Sequence, residues 1–197
     1  MARRSEHTLE QLKEMVLRAA ETIVIEEGFN ALTVRKVAME IGYTVGSIYM
    51  VFQNMDDLIM HVKARTLEEL ADELCEPQTF DSIEEHIQIL ADTYLTFARR
   101  NFNRWRMIFE AIKDVPVPEW YQEKVQDMFL IVETPLQQLC PNQTKEQVSL
   151  ATQALWSGVH GVCVLALNGS LGRAGSDNAQ ATVRLLVQNF IRGFKST

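Results

Sequence analysis

The chain has 197 residues, of which 47% are hydrophobic and 23% are charged, and this balance is typical of a soluble protein with a substantial core. Its three cysteines and four histidines are scattered at wide, irregular spacing, which excludes a recognisable metal site or disulfide framework, and we expect no metal and no cofactor. A net charge of −7 does not suggest a nucleic-acid-binding protein, and no apolar run approaches the roughly 20 residues that a membrane span requires.

The first part of the chain predicts four helices, each opened by a residue whose side-chain oxygen can cap a helix N-terminus. The first helix has apolar residues at steps of three and four from Leu12 to Ile23, and Gly28 can end it. The second is short and ends at Gly42, whereas the fourth runs to about Cys75. The predicted caps of the four helices are Thr8, Thr33, Thr44 and Asn54.

Longer helices follow Pro77, and no segment of the chain predicts a strand. A proline lacks the amide that its helical hydrogen bond needs, so we expect one of these helices to be interrupted or kinked near Pro135. Gly169, Gly172 and Gly175 predict a loose connection before the last helix. The predicted helices of this part cover about residues 81–99, 105–112, 119–139, 145–167 and 177–194.

Residues 33–49 fit a helix-turn-helix, in which a supporting helix and a tight turn leave the outer face of a second helix free to enter the major groove of DNA. Gly42 stands where the chain leaves the first of these helices, and Ala38 is short enough to let the two helices approach. The outward positions of the second helix are Thr44, Val45, Ser47 and Tyr49, and Gly46 among them allows close approach of the backbone to DNA.

Residues 32–52, which read LTVRKVAMEIGYTVGSIYMVF, closely resemble the DNA-binding domain of the tetracycline-repressor (TetR) family. Glu27-Gly28-Phe29, Asn54 and Asp57-Leu58 also stand at that family's spacing. The resemblance implies a DNA-binding transcriptional regulator, most often a repressor, and not an enzyme. We therefore expect an all-α protein of about nine helices, with a three-helix helix-turn-helix domain at residues 1–54 and a larger effector-binding and dimerisation domain at residues 55–197.

The resemblance, carried over position by position, implies which side chains meet DNA. Thr33 and Tyr49 would hold phosphates through their hydroxyls. Arg35 would lie at the groove edge, with Lys36 as a nearby positive charge, and Asn54 would cap the fourth helix and aim its amides at the DNA backbone. The residues implied to face base edges are Thr44, Val45, Gly46 and Ser47.

Two positions depart from the family's pattern, because Met55 replaces a usual lysine and Val51 a usual polar or aromatic residue. Each departure removes an expected phosphate contact. Residues 1–60 also hold nine acidic side chains against six basic ones, which opposes binding to a polyanion. We expect Arg3, Arg4 and Lys13 to compensate from the N-terminal arm.

Trp156, His160 and Gly161 resemble the Trp-x-x-x-His-Gly (WHG) signature of one C-terminal branch of TetR-like regulators. Trp156 and His160 share a helix face, so packing within a core or dimer seam and direct contact with an effector both stay open. The expected effector is small and hydrophobic or aromatic, and His160 would serve any carbonyl or anionic group it carries. The predicted effector-binding residues are Tyr94, Phe97, Trp105, Phe109, Trp120, Met128, Phe129, Trp156 and His160.

The last two helices carry apolar residues suited to a seam between two copies of the chain. We expect a cytoplasmic homodimer that binds an inverted-repeat operator in double-stranded DNA. Two other classes stay open: a TetR-like dimer that has lost operator binding and acts as a ligand-binding or protein-interaction module, and a helical enzyme, for which Ser157, Cys163 and His160 lack an evident orienting acid. The predicted seam residues are Leu155, Val159, Val162, Leu185, Leu186 and Phe190.

Overall fold

The computed structural model describes residues 7–110, 116–173, 175 and 178–196, and the predicted all-α fold is confirmed: within these residues there are ten α-helices, one short 3₁₀ helix and no strand. The helix beyond the predicted nine is a single turn, α9, in the glycine-containing connection that was expected to be loose. The helices are α1 (Leu9–Glu27), the 3₁₀ turn (Phe29–Ala31), α2 (Val34–Glu40), α3 (Val45–Ile48), α4 (Met55–Cys75), α5 (Ile83–Arg100), α6 (Phe102–Ile108), α7 (Glu119–Leu139), α8 (Lys145–Leu167), α9 (Ser170–Arg173) and α10 (Ala179–Lys195).

Local capping explains where several helices begin. Thr8, the predicted cap of α1, forms a reciprocal capping box with Gln11, in which the Thr8 hydroxyl accepts from the Gln11 amide. An equivalent box of Thr144 and Gln147 opens α8. The last helix is capped by Asn178, and its predicted start at Asp177 lies outside the described residues.

The chain divides into two compact units, of which the first comprises Met1–Leu67 and Asn101–Tyr121, and the second Glu68–Arg100 and Gln122–Thr197. The core of the first unit joins the inner face of α1 to buried residues of α2, α3, α4 and α6. This unit therefore extends past residue 54, because apolar residues of α4 and α6 help to fill its core. The residues that carry this extension are Leu58, Ile59, Val62 and Met107.

In the second unit α10 lies against α5 and α8, and α5 also contacts α8. Gly158 allows the close approach of α8 and α10, since a Cβ there would lie 2.9 Å from Leu186 Cδ1. α7 continues through Pro135 as one helix, although that residue cannot donate to the Ile131 carbonyl.

Three residues predicted for a seam between copies face the interior of the second unit instead. Leu155, Val159 and Val162 of α8 are at most 8% exposed, because they lie on the helix face that packs within the unit. The exposed apolar side chains of α8 and α10 include Leu150, at 68% exposure, and Leu185, at 62%. The prediction that Leu155, Val159 and Val162 belong to a seam between two copies is therefore wrong.

Among the described residues, α8 is the one helix that is long and apolar enough to cross a membrane, with a mean hydropathy of 1.4. The core helix of a soluble protein passes the same test. Only 28% of the apolar window is fully buried inside this chain, and several of its residues are exposed.

Candidate DNA-binding surface and effector cavity

The helix-turn-helix of the first unit is built by two capped helices and a glycine turn. The Thr33 hydroxyl accepts from the Lys36 amide, and the Thr44 hydroxyl accepts from the Ser47 amide, both at 3.2 Å. Between the helices Gly42 adopts φ 71°, a left-handed conformation that disfavours other residues. Val37, Ala38 and Ile48 bury the inner faces of both helices, so the outer face of α3 is left towards solvent.

The predicted DNA-contacting residues belong to α2, α3 and the residues that flank these helices, and one of them, Val45, is packed against the core of the unit. Tyr49 follows α3 directly and is 45% exposed, so its ring is not part of the core. The hydroxyls of Thr44 and Ser47 lie 3.0 Å apart and are hydrogen-bonded to each other. Of the predicted residues, those exposed are Thr33, Arg35, Thr44, Gly46, Tyr49 and Asn54, and those partly buried are Lys36, Val45 and Ser47.

Asn54 caps α4 as predicted. Its side-chain oxygen accepts from the Asp57 amide at 2.8 Å, and the Asp57 carboxylate accepts from the Gln53 amide at the same distance. Asp56 and Asp57 therefore stabilise the first turn of α4 through its dipole, but they also bring negative charge to this end of the helix.

The start of α1 is tied to the turn between α2 and α3. His7 Nδ1 and the Tyr43 hydroxyl are hydrogen-bonded at 2.7 Å. Lys13, which was expected to compensate for missing phosphate contacts, has its ammonium 5.8 Å from the centre of the Phe52 ring. Arg3 and Arg4, predicted to help it, lie outside the described residues.

The second unit contains an apolar cavity of about 70 Å³ that opens towards solvent. Four of the predicted effector residues line it, namely Tyr94, Met128, Phe129 and Trp156. The one hydroxyl-bearing aliphatic residue in the lining, Thr152, donates to the Val148 carbonyl at 3.0 Å. The remaining lining residues are Leu74, Ile87, Leu90, Ala91, Val132, Leu155 and Val159.

A polar group lies beside this cavity. The Tyr94 hydroxyl is hydrogen-bonded to His160 Nδ1 at 2.8 Å, and the His160 ring stacks on Trp156 with 5.1 Å between ring centres. Burial lowers the pKa of His160 below its ordinary value of 6.5, so the ring is neutral near pH 7. In the neutral tautomer that carries its proton on Nε2, the ring accepts at Nδ1 from the Tyr94 hydroxyl.

Two segments of the sequence identify the family. Residues 16–62 match the bacterial regulatory proteins of the tetR family, and residues 87–190 match the tetracyclin repressor-like C-terminal domain. The chain belongs to the TetR family. It is therefore a DNA-binding transcriptional regulator, as the resemblance of residues 32–52 implied. Proteins of this family regulate transcription rather than catalyse reactions, and in general they act in the bacterial cytoplasm as dimers that respond to small molecules.

Solved structures share the fold of this TetR-family chain. A protein of unknown function from Rhodococcus sp. RHA1 is 17% identical, with a TM-score of 0.79 over 97% of this chain and 98% of that one. A tetR-family transcriptional regulator from Streptomyces coelicolor is 14% identical, with a TM-score of 0.71 over 96% of this chain and 84% of that one. No curated protein matches the chain. The WHG branch stays a prediction, although its three residues lie within the C-terminal match.

Five of the residues predicted for the effector site of this TetR-family regulator are not among those that line the cavity. Phe97 and His160 belong to the second unit, where Phe97 is fully buried. The other three are in the first unit: the Trp105 ring is edge-on to Phe109 at 5.4 Å, and the Trp120 ring lies 4.9 Å from that of His61. The density of aromatic residues and methionine in the sequence does not indicate the aliphatic lining, whose signal is the spacing of Ile87, Leu90 and Ala91 along one face of α5.

The residues considered for an enzyme are engaged in packing. The Ser157 hydroxyl donates to the Gln153 carbonyl at 2.7 Å. Burial raises the pKa of the Cys163 thiol to about 12, so this side chain is not a thiolate near neutral pH. Within the described residues no group of three or more metal-ligating side chains is brought together. Nothing in this arrangement resembles a nucleophile with its base.

Proposed function

We propose that this regulator binds an inverted-repeat operator as a homodimer, represses transcription from it, and is released by a small hydrophobic or aromatic effector. The observation that carries the proposal is the exposure of Thr44, Gly46 and Tyr49 at α3, which is held by capped helices, together with an exposed Arg35 on α2. A helix presented in this way can enter the major groove.

The proposed contacts divide into positioning and base-reading groups. Thr33, Tyr49 and Asn54 position the domain on phosphates, and Arg35 reaches a guanine or a phosphate at the groove edge. The base-reading surface is small, and its Val45 can contact only a thymine methyl group. Thr44, Gly46 and Ser47 complete this surface.

The proposed homodimer uses the exposed faces of α8 and α10. A groove between these helices is lined by Leu150, Ala154, Phe190 and Phe194, and Leu185 is exposed nearby on α10. The low burial of the apolar α8 supports a second copy as its cover. A two-fold dimer would present two α3 helices, and these match an operator whose half-sites are related by the same symmetry.

The proposed effector site is the apolar cavity of the second unit. Its mainly aliphatic and aromatic lining favours an uncharged, apolar molecule. Such a molecule would release DNA only if it bound one arrangement of the dimer better than the other. A modest rotation is sufficient, because half-sites lie about 34 Å or a multiple of it apart.

Selection of bound fragments from a pool of genomic DNA, followed by sequencing, tests the proposal. We expect one inverted repeat to be enriched by the wild-type protein and lost with Arg35→Gln or Tyr49→Phe. Arg18→Gln is the matched control, since Arg18 is an exposed base of α1 that pairs with Glu14. A folded dimer that enriches no fragment at low salt would instead support the ligand-binding module without operator binding.

A further inference from the structure

Two adjacent basic residues of α2 are in different electrostatic situations. The Lys36 ammonium forms an ion pair with the Glu27 carboxylate of α1. Arg35 is exposed and makes no ion pair with any residue that the structure describes. Of the two charges that α2 offers to DNA, one is therefore already balanced within the protein.

The pair joins the end of α1 to the first turn of α2. Glu27 is the last residue of α1, and its side chain is 50% exposed. The Lys36 side chain is only 28% exposed, so its stem packs against the protein while its ammonium meets the carboxylate. The Lys36 amide is fixed as well, because it donates to the Thr33 hydroxyl.

A phosphate contact by Lys36 would have an electrostatic cost. The ammonium would leave the carboxylate, and the uncompensated Glu27 would then lie close to a polyanion. An exposed ion pair is weak, but a single phosphate contact is of similar strength, so the carboxylate is an effective competitor.

We propose that Glu27 withholds Lys36 from the DNA backbone, so that Glu27 is a positioning residue that lowers the DNA affinity and the salt dependence of this regulator. This inference rests on the proposed operator-binding function of the first unit. The excess of acidic residues in residues 1–60 opposes binding to DNA, and this ion pair identifies one residue through which that opposition acts.

The experiment is a double-mutant cycle of wild type, Glu27→Gln, Lys36→Gln and the double variant. Binding of each full-length protein to a fluorescent duplex of mixed sequence is followed by anisotropy between about 50 and 200 mM salt. We expect Glu27→Gln to tighten binding about five-fold, which corresponds to one exposed ion pair. The slope of log affinity against log salt should steepen by about 0.9, the value for one additional phosphate contact.

Lys36→Gln discriminates a withheld lysine from one that already contacts DNA. In the wild-type background Lys36→Gln should leave the salt slope unchanged. In the Glu27→Gln background Lys36→Gln should remove the increase of about 0.9 in that slope. A loss of about 0.9 on Lys36→Gln in the wild type would overturn the inference, because Lys36 would then already hold a phosphate.

Glu26→Gln is the matched control. Glu26 is exposed, precedes Glu27 in the last turn of α1, and makes no ion pair with a described residue. The charge change is identical, and both substitutions remove a negative charge from a helix C-terminus, where the helix dipole disfavours it. Equal effects of Glu26→Gln and Glu27→Gln would overturn the inference in favour of general electrostatic repulsion.

The mixed-sequence duplex separates this inference from the proposed function. Coupling of Glu27 and Lys36 on that duplex, without enrichment of an operator from genomic DNA, would support the inference and contradict operator binding. Operator enrichment without coupling would contradict the inference alone. Absence of any DNA binding by wild type and Glu27→Gln would contradict both.

Discussion

The pair of Tyr94 and His160 illustrates how burial determines the protonation of one side chain. His160 is partly buried beside aromatic rings, and desolvation lowers its pKa. The neutral imidazole is hydrogen-bonded to the Tyr94 hydroxyl, and this hydrogen bond holds both side chains at the edge of the cavity. The cavity lining is thus uncharged at neutral pH even though it adjoins a histidine.

Lowering the pH from about 7 to about 5 should decrease the free energy of unfolding, partly through His160. The folded-state pKa of His160 is below the ordinary value, so across this window the unfolded chain binds more protons at this residue than the folded chain. Stability is therefore lost as the pH falls through the ordinary value of 6.5. Urea unfolding at several pH values should show a smaller decrease for His160→Gln than for wild type.

His86→Gln is the control for this measurement, because the His86 ring stacks on Phe80 and does not line the apolar cavity. If the free energy of unfolding of His160→Gln decreased with pH as much as that of wild type, the assignment of part of this decrease to His160 would be contradicted. An NMR titration of the His160 ring that gave a pKa above the ordinary value of 6.5 would also contradict it.

At the scale of helices, the sequence predicts well what local interactions control. Thr8, Thr33, Thr44 and Asn54 each accept the expected amide at the start of a helix, because capping involves residues only three positions apart. α9 was missed, since a single turn between glycines has almost no periodicity to detect.

The remaining features depend on contacts that are distant in sequence. Ion pairing of Lys36 with Glu27 requires the angle between α1 and α2, which no spacing rule provides. Apolar periodicity likewise shows that α5 and α8 have buried faces, but it does not show which parts of those faces enclose a cavity. For this reason Trp105 and Trp120 were expected in the cavity although they belong to the first unit.

Thr33→Asp should separate the two roles of Thr33, as cap of α2 and as proposed phosphate contact. Aspartate is at least as good a helix cap as threonine. We therefore expect the free energy of unfolding, measured by thermal denaturation, to change by less than about 0.5 kcal/mol. DNA affinity should decrease about ten-fold, because a hydroxyl contact is replaced by a negative charge beside a phosphate. Both quantities are measured on the same purified variant.

Thr144→Asp provides the comparison, since Thr144 caps α8 in the second unit and the charge change is the same. Its DNA affinity should remain within about two-fold of wild type. If Thr33→Asp bound DNA as tightly as Thr144→Asp, Thr33 would be a cap and not a phosphate contact.

At the scale of the whole molecule, the exposed apolar face of α8 and α10 favours association of two chains. Leu150→Glu should convert the proposed dimer to a monomer, because it places a charge in the apolar groove between α8 and α10. Leu150 is 68% exposed in the single chain, so the fold of the monomer should be retained. Sedimentation velocity measures the mass, and circular dichroism the helix content.

Leu130→Glu is the matched control, because Leu130 is 52% exposed on α7 and is not part of the groove between α8 and α10. It should remain dimeric. Dissociation by both variants, or by neither, would contradict the assignment of the interface to α8 and α10.

Filling the cavity should separate effector response from DNA binding. Ala91 is buried in the cavity wall on α5, and Ala91→Leu adds three carbon atoms to that space. We expect a change in stability within about 2 kcal/mol, since the added volume enters a void rather than a close-packed core. Ala71→Leu, on a partly buried position of α4 outside the lining, is the control.

A panel of small apolar and aromatic compounds, tested for a rise in the melting temperature, provides the measurement. A compound that binds only the folded state stabilises it by an amount that rises with the logarithm of its concentration relative to its dissociation constant. It should stabilise the wild type and Ala71→Leu, but not Ala91→Leu, which should still bind DNA and no longer release it when the compound is added. Equal stabilisation of Ala91→Leu would mean that the compound binds elsewhere, and the effector site would then have to be sought outside this cavity.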